Sequence, residues 1–175
     1  MARNAEIKIR IAESRIPEIV AQAIKVGGSD PKILEQEDVY FPAAGRLKVR
    51  SEGSVVQLIG YSRSDETDSR VSHYQLVEVK SKEEICRALR LALGEPIAVV
   101  RKTRTLVMLG QTRIHLDRVE GLGSFLELEV MMRGGQSEAE GCHMVEEVLE
   151  RIGVKERDVE RGSYKELIMK LDKSS

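Results

Sequence analysis

The feature that most constrains this chain is a period of two. Residues 122–130 read Leu-Gly-Ser-Phe-Leu-Glu-Leu-Glu-Val. In a strand, Leu126, Leu128 and Val130 point one way and Glu127 and Glu129 the other. Residues 4–11 sort in the same manner. Ala5, Ile7, Ile9 and Ile11 form one face, and Asn4, Glu6, Lys8 and Arg10 form the other. Arg46-Leu47-Lys48-Val49-Arg50 repeats the pattern with cations on one face. Residues 98–109 carry Lys102 and Arg104 on the face away from Val99 and Thr103. After the Gly110-Gln111 turn, Arg113, His115 and Asp117 alternate with Ile114 and Leu116. Two carboxylates on one strand face repel each other, so Glu127 and Glu129 need either open water or a cation between them.

The remaining segments fill in one domain over residues 1–175. Residues 38–41, 55–63 and 74–79 read as further strands, and 62–70 as a polar loop without period. A helix is predicted over 16–26, with Pro17 in its first turn and Gly27-Gly28 at its end. Ser81 with Glu84, Ser137 with Glu140, and Ser163 with Glu166 are capping boxes for three more helices. The first two run to about Leu93 and Ile152. This is an α+β chain dominated by antiparallel strands. Cys86 and Cys142 fall in helices without His or Cys at metal spacing and read as reduced packing thiols. No leader segment and no apolar run near the roughly 20 residues of a membrane span is seen, so a cytoplasmic placement is expected.

The net charge of −1 excludes bulk attraction of a polyanion. With aromatics at 3% there is also little for bases to stack on, and a nucleic-acid partner is not expected. Any anion site must come from local segregation of charge. The alternating faces supply it: cations dominate most strands, and carboxylates gather on the first and the later ones. Alternation alone admits two arrangements. One is an ordinary sheet with a solvated face. The other is a closed barrel with the charged faces inward, wet, and the apolar faces outward under the helices. A lining of that kind suits a triphosphate carried with Mg²⁺ or Mn²⁺. His115, between Arg113 and Asp117, reads equally as a phosphate or proton-shuttling group and as a structural histidine.

Asn4-Ala5-Glu6-Ile7-Lys8, Lys48-Val49-Arg50, Lys102-Thr103-Arg104, the run from Asp117 to Gly123, Phe125-Leu126-Glu127-Leu128-Glu129 and Gly162-Ser163-Tyr164 occur in this order. Together they resemble the CYTH family of triphosphate tunnel metalloenzymes, which includes class IV adenylyl cyclases, thiamine triphosphatases and inorganic triphosphatases. The resemblance implies a closed antiparallel tunnel of about eight strands with helices packed outside. It implies Glu6, Glu127 and Glu129 as ligands of Mg²⁺ or Mn²⁺. Lys8, Lys48, Arg50, Lys102, Arg104 and Arg113 would grip phosphate oxygens, with Arg10 and Arg63 added to the substrate-binding set. Asp117 would be a further ligand or would position the attacking group, and with Lys8 it forms the catalytic pair. The expected ligand is inorganic triphosphate, ATP or a similar compound, and the protein is expected as a monomer or homodimer. The sequence departs from the family pattern in three places. Asn4 stands where a first glutamate is usual, Tyr61 stands where a lysine is usual, and Ser72 and Tyr74 stand where many cyclases carry Arg-x-Glu. The Asn4 departure keeps a second expectation open: a non-catalytic polyphosphate- or nucleotide-binding protein.

Overall fold

The computed structural model describes residues 2–63, 70–155 and 158–173, with the side chains of Ala2, Arg63 and Arg70 left out. Eight strands run as β1 (Ala2–Ile11), β2 (Lys32–Phe41), β3 (Arg46–Glu52), β4 (Val55–Arg63), β5 (Arg70–Val79), β6 (Ala98–Leu109), β7 (Thr112–Val119) and β8 (Gly123–Met131). They close into one antiparallel barrel in the order β1-β5-β4-β3-β2-β6-β7-β8, with β8 returning to β1. Two of the hairpins, β3–β4 and β6–β7, turn in two residues. Gly53 (φ 56°) and Gly110 (φ 59°) take the left-handed first position that such a turn needs.

The barrel chooses between the two arrangements left open by alternation. Its apolar faces point outward and are covered by α1 (Ile16–Lys25), α2 (Lys82–Leu93) and α3 (Glu138–Arg151). Ala5, Ile7 and Ile9 of β1, Ile114 and Leu116 of β7 and Leu126 and Leu128 of β8 share one core with Ile19 of α1 and Leu149 of α3. Val39, Phe41 and Val49 form a second with Cys86 of α2. Both cysteines are free. The short α4 (Tyr164–Asp172) docks where β6 begins and β7 ends, and its Tyr164 joins Val100, Val119 and Phe125 in an apolar plug. No helix among the described residues is long and apolar enough to cross a membrane.

Two strands are longer than the pattern suggests. β2 begins at Lys32, not residue 38, because its first half lies in the open with Ile33 62% exposed and so carries no apolar period. β5 begins at Arg70, where Val71, Ser72 and His73 give no clear alternation. Residues 64–69 of the expected polar loop lie outside the described residues.

Gly28, just past α1, has no room for a side chain. A Cβ there would stand 2.7 Å from the Ala23 carbonyl oxygen and 2.8 Å from Val107 Cγ1. Gly28→Ala is therefore expected to cost about 1–3 kcal/mol in denaturant unfolding, the usual range for an overpacked core. An unchanged midpoint would contradict this packing.

Candidate active site

The barrel encloses a cavity of about 800 Å³, counting the space open at its mouth. Among the described residues its wall presents six cations, Lys8, Lys48, Arg50, Lys102, Arg104 and Arg113, against three carboxylates, Glu6, Glu127 and Glu129. Strand register makes the groupings. Lys8 faces Glu127 and Glu6 faces Glu129 across β1–β8, while His115 faces Glu127 and Arg113 faces Glu129 across β7–β8.

One group of cations is built on Asp38, a β2 residue with no exposed surface. It accepts from Lys48 Nζ at 2.9 Å, Lys102 Nζ at 3.1 Å and Arg50 through Nε at 2.7 Å and Nη2 at 2.8 Å. Burial would raise the Asp38 pKa, but the three cations outweigh it and hold the carboxyl well below its usual range. The lysines pay the opposite way. Burial, with Arg50 beside it, pulls Lys48 down to about 7 despite Asp38. Burial likewise pulls Lys102 down to about 8.

The second group is built on Asp117, equally buried. Arg104 clasps it through Nε (2.7 Å) and Nη2 (2.6 Å), and the Tyr164 hydroxyl donates to Oδ2 at 2.8 Å. Asp117 is absent from the cavity wall. Both of its oxygens hold neighbours in position. Arg104 Nη2 also reaches Glu127 Oε2 at 2.9 Å. Lys8 donates to the Gly162 carbonyl at 3.1 Å, lies 4.3 Å over the Tyr164 ring and sits 3.9 Å from Glu127.

Glu127, Glu129 and His115 bring one oxygen or nitrogen each within 4.8 Å of one another. His115 Nδ1 lies 3.7 Å from Glu127 and 3.8 Å from Glu129, too far for hydrogen bonds, and has no hydrogen-bond partner although buried. An orphaned imidazole nitrogen aimed at two carboxylates fits a divalent cation, which accepts both donor types. Burial works against the charge on Glu127, but Lys8, His115 and Arg104 keep its pKa well below normal, so it stays an anionic ligand. Glu6, the register partner of Glu129, is not one of this trio and accepts from Ser72 Oγ at 3.0 Å. Asn4 donates to Glu129 Oε2 at 3.4 Å, and its own Oδ1 is buried without a partner.

The expected site residues thus divide. Lys8, Lys48, Arg50, Lys102, Arg104, Arg113, Glu6, Glu127 and Glu129 meet round one cavity. Arg10 lies outside its wall, bonded to Glu160 at 3.2 Å and to the Leu122 carbonyl at 3.2 Å. The Arg63 side chain lies outside the described residues. Sequence reasoning passed over Asp38 and left Tyr164 without a role. Asp38 hides in the acidic run Glu35-Gln36-Glu37-Asp38. The only available signal was that it shares a strand face with Tyr40, the one aromatic there.

An antiparallel barrel of eight strands with a charged, largely basic interior defines a tunnel protein. Residues 2–164 match the CYTH domain family, and the chain belongs to it. A "putative adenylate cyclase MJ0240" of Methanocaldococcus jannaschii is 25% identical over 172 residues, covering 94% of this chain and 97% of that protein. Among solved structures, the PH1012 protein from Pyrococcus horikoshii OT3 matches with a TM-score of 0.80 at 30% identity, over 94% of this chain and 99% of that one. A "putative adenylate cyclase" from Vibrio parahaemolyticus matches with a TM-score of 0.77 over 94% of this chain and 96% of that one. At 18% identity this last likeness is one of fold.

Proposed function

We propose that this chain is a divalent-metal-dependent enzyme that binds a triphosphate inside the barrel and breaks one of its phosphoanhydride bonds. The observation that carries the reading is the excess of cations over carboxylates among the described residues of the cavity wall, beside a carboxylate–imidazole trio. Glu127, Glu129 and His115 would hold Mg²⁺ or Mn²⁺, with Glu6 and Asn4 adjoining. The ion would supply positive charge to phosphate oxygens and draw electrons from phosphorus. Lys48, Arg50 and Lys102 form one cradle for phosphate oxygens, and Arg104 with Arg113 a second. Lys8, nearly buried beside Glu127, neutralises charge that develops on the departing phosphate. Asp117 serves the reaction through Arg104, whose guanidinium it fixes.

Two nucleophiles fit this machinery. Attack by water on the terminal phosphorus releases phosphate and leaves the diphosphate. Attack by the ribose 3′-hydroxyl of ATP on the α-phosphorus releases pyrophosphate and cyclic AMP. The names of the relatives favour the second. The experiment is phosphate, pyrophosphate and cyclic AMP measured from ATP and from tripolyphosphate with Mg²⁺ or Mn²⁺. Cyclic AMP with pyrophosphate from ATP marks a cyclase; phosphate without cyclic AMP, accompanied by ADP from ATP or by pyrophosphate from tripolyphosphate, marks a triphosphatase. Binding without any product would leave a non-catalytic binder, with Asn4 as the altered position.

Binding should be coupled to protons. Lys48 and Lys102, with pKa values near 7 and 8 in the empty cavity, are largely neutral at pH 8.5. A bound polyanion raises both values, so binding at that pH takes up protons and the affinity falls between pH 7 and 9. The empty protein moves the other way. Lysines ionise near 10.4 when unfolded, so the unfolded chain holds more protons from about pH 8 to 10 and stability rises there. Calorimetry of tripolyphosphate binding in two buffers of different ionisation enthalpy reads the uptake. A heat independent of buffer would count against it.

A further inference from the structure

The C-terminal segment completes the barrel beside the cavity. β5 pairs with residues 2–6 of β1. Further along β1, residues 158–160 lie against it instead. Arg10 N–H donates to the Asp158 carbonyl at 2.8 Å, Glu160 N–H to the Lys8 carbonyl at 2.9 Å, and Val159 bridges to Ile9. The chain then turns at Gly162, whose N–H donates to Glu160 Oε1 at 2.8 Å. The start of α4 is fixed from two sides. Ser163 N–H donates to Glu166 Oε2 at 2.7 Å, and Arg46 of β3 to Glu166 Oε1 at 2.9 Å. These bonds set Tyr164, which is buried, against Phe125 of β8 with ring centres 5.0 Å apart. Tyr164 forms part of the cavity wall.

Both ends of this side chain engage cations of the site. The hydroxyl shares Asp117 Oδ2 with Arg104: Tyr164 Oη donates at 2.8 Å and Arg104 Nη2 at 2.6 Å. Two donors on one oxygen restrict the carboxylate, and the carboxylate sets the plane of the Arg104 guanidinium. The ring carries ammonium groups. Lys8 Nζ lies 4.3 Å and Lys102 Nζ 5.5 Å from its centre, and a cation is drawn to the electron-rich face of a buried ring. Lys8 is 3.9 Å from Glu127, beyond a hydrogen bond, while the Gly162 carbonyl accepts from it at 3.1 Å. Carbonyl and ring are neutral, so they fix the ammonium without cancelling its charge. Packing against Phe125 needs only a ring, and a hydroxyl is costly to bury without a partner. We infer that Tyr164 is a positioning residue that aims Arg104 through its hydroxyl and Lys8 through its ring. This rests on the triphosphate reading given above. The hydroxyl then serves affinity, because Arg104 grips the bound phosphates. The ring serves turnover, because Lys8 meets the charge that develops on the departing phosphate.

The test pairs the dissociation constant of tripolyphosphate on metal-free protein with kcat and KM for tripolyphosphate and ATP in Mn²⁺. Tyr164→Phe, which keeps the ring, should weaken tripolyphosphate binding and raise KM about tenfold, with kcat within about twofold of wild type. Tyr164→Leu should show the same loss of affinity and lower kcat about tenfold as well, so that Phe rescues turnover and not binding. In an Arg104→Lys background, Tyr164→Phe should cost no further affinity, because lysine has no guanidinium plane to fix. A lowered melting temperature with the dissociation constant and KM unchanged would make Tyr164 merely structural and overturn the inference. Additive losses in the Arg104→Lys background would overturn it too, since the hydroxyl would then act elsewhere. If the wild type binds tripolyphosphate and turns over neither compound, the enzymatic reading fails and the affinities alone decide the role of the hydroxyl. If it neither binds nor turns over, the triphosphate reading fails and the inference falls with it.

Discussion

Asp38→Asn is expected to cost about 3–5 kcal/mol of stability near neutral pH, the range found when one partner of a buried ion cluster is removed. Asp38 is the shared acceptor for Lys48, Arg50 and Lys102 and has no exposure to water that might replace it. An amide of the same shape leaves three cations facing one another. The loss should depend on pH. At pH 6 both lysines are charged in the wild-type protein, and the variant must repel or deprotonate them. At pH 9 they are already neutral, and only Arg50 loses its partner. Urea unfolding at the two pH values separates this from a packing defect, which would cost the same at both. A polyanion should compensate for the missing carboxylate. Millimolar tripolyphosphate is therefore expected to raise the variant's melting temperature more than the wild type's, by the mass action that any native-state ligand exerts. An equal shift would mean that Asp38 does not organise the cradle.

The second large effect concerns the metal. Glu129→Gln is expected to lower metal-dependent turnover of a triphosphate about 10²–10³-fold, since a bound cation supplies several kcal/mol of transition-state stabilisation and each 1.36 kcal/mol is tenfold. Glu129 is the better position to test than Glu127. Glu127 also neutralises Arg104 and Lys8, so its removal would strand buried cations. Glu129 meets the less buried Arg113 at 3.3 Å and the Asn4 amide at 3.4 Å, and the glutamine keeps its shape. Its melting temperature should stay near the wild type's without metal and respond less to added Mn²⁺. Turnover unchanged beside wild type would remove Glu129 from the metal site.

Much of the barrel was legible because its strands carry opposite chemistry on opposite faces. β1, β3, β7 and β8 announce themselves by period, and the capping boxes at Ser137 and Ser163 form as written. The family motifs then choose inward over outward for the charged faces. What stayed hidden depends on register between distant strands. Asp38 meets Arg50 12 residues away and Lys102 64 residues away, and no local pattern links them. Asp117 looked like a catalytic group because its type and position fit one. Only the fold reveals that Arg104 and Tyr164, 47 residues further on, occupy its oxygens. The carboxylates of β8 find their companion in His115 of the neighbouring strand, and Glu6 turns to Ser72 instead. Arg10 follows the period of β1 but lies beyond the cavity, beside Glu160.

The most direct measurement is a crystal structure of the protein grown with tripolyphosphate and Mn²⁺, with anomalous scattering used to locate the ion. The account predicts phosphate density inside the barrel, in contact with Lys48, Arg50, Lys102 and Arg104, and one manganese peak between Glu127, Glu129 and His115. Phosphate bound only on the outer surface, with the barrel interior holding water alone, would contradict it.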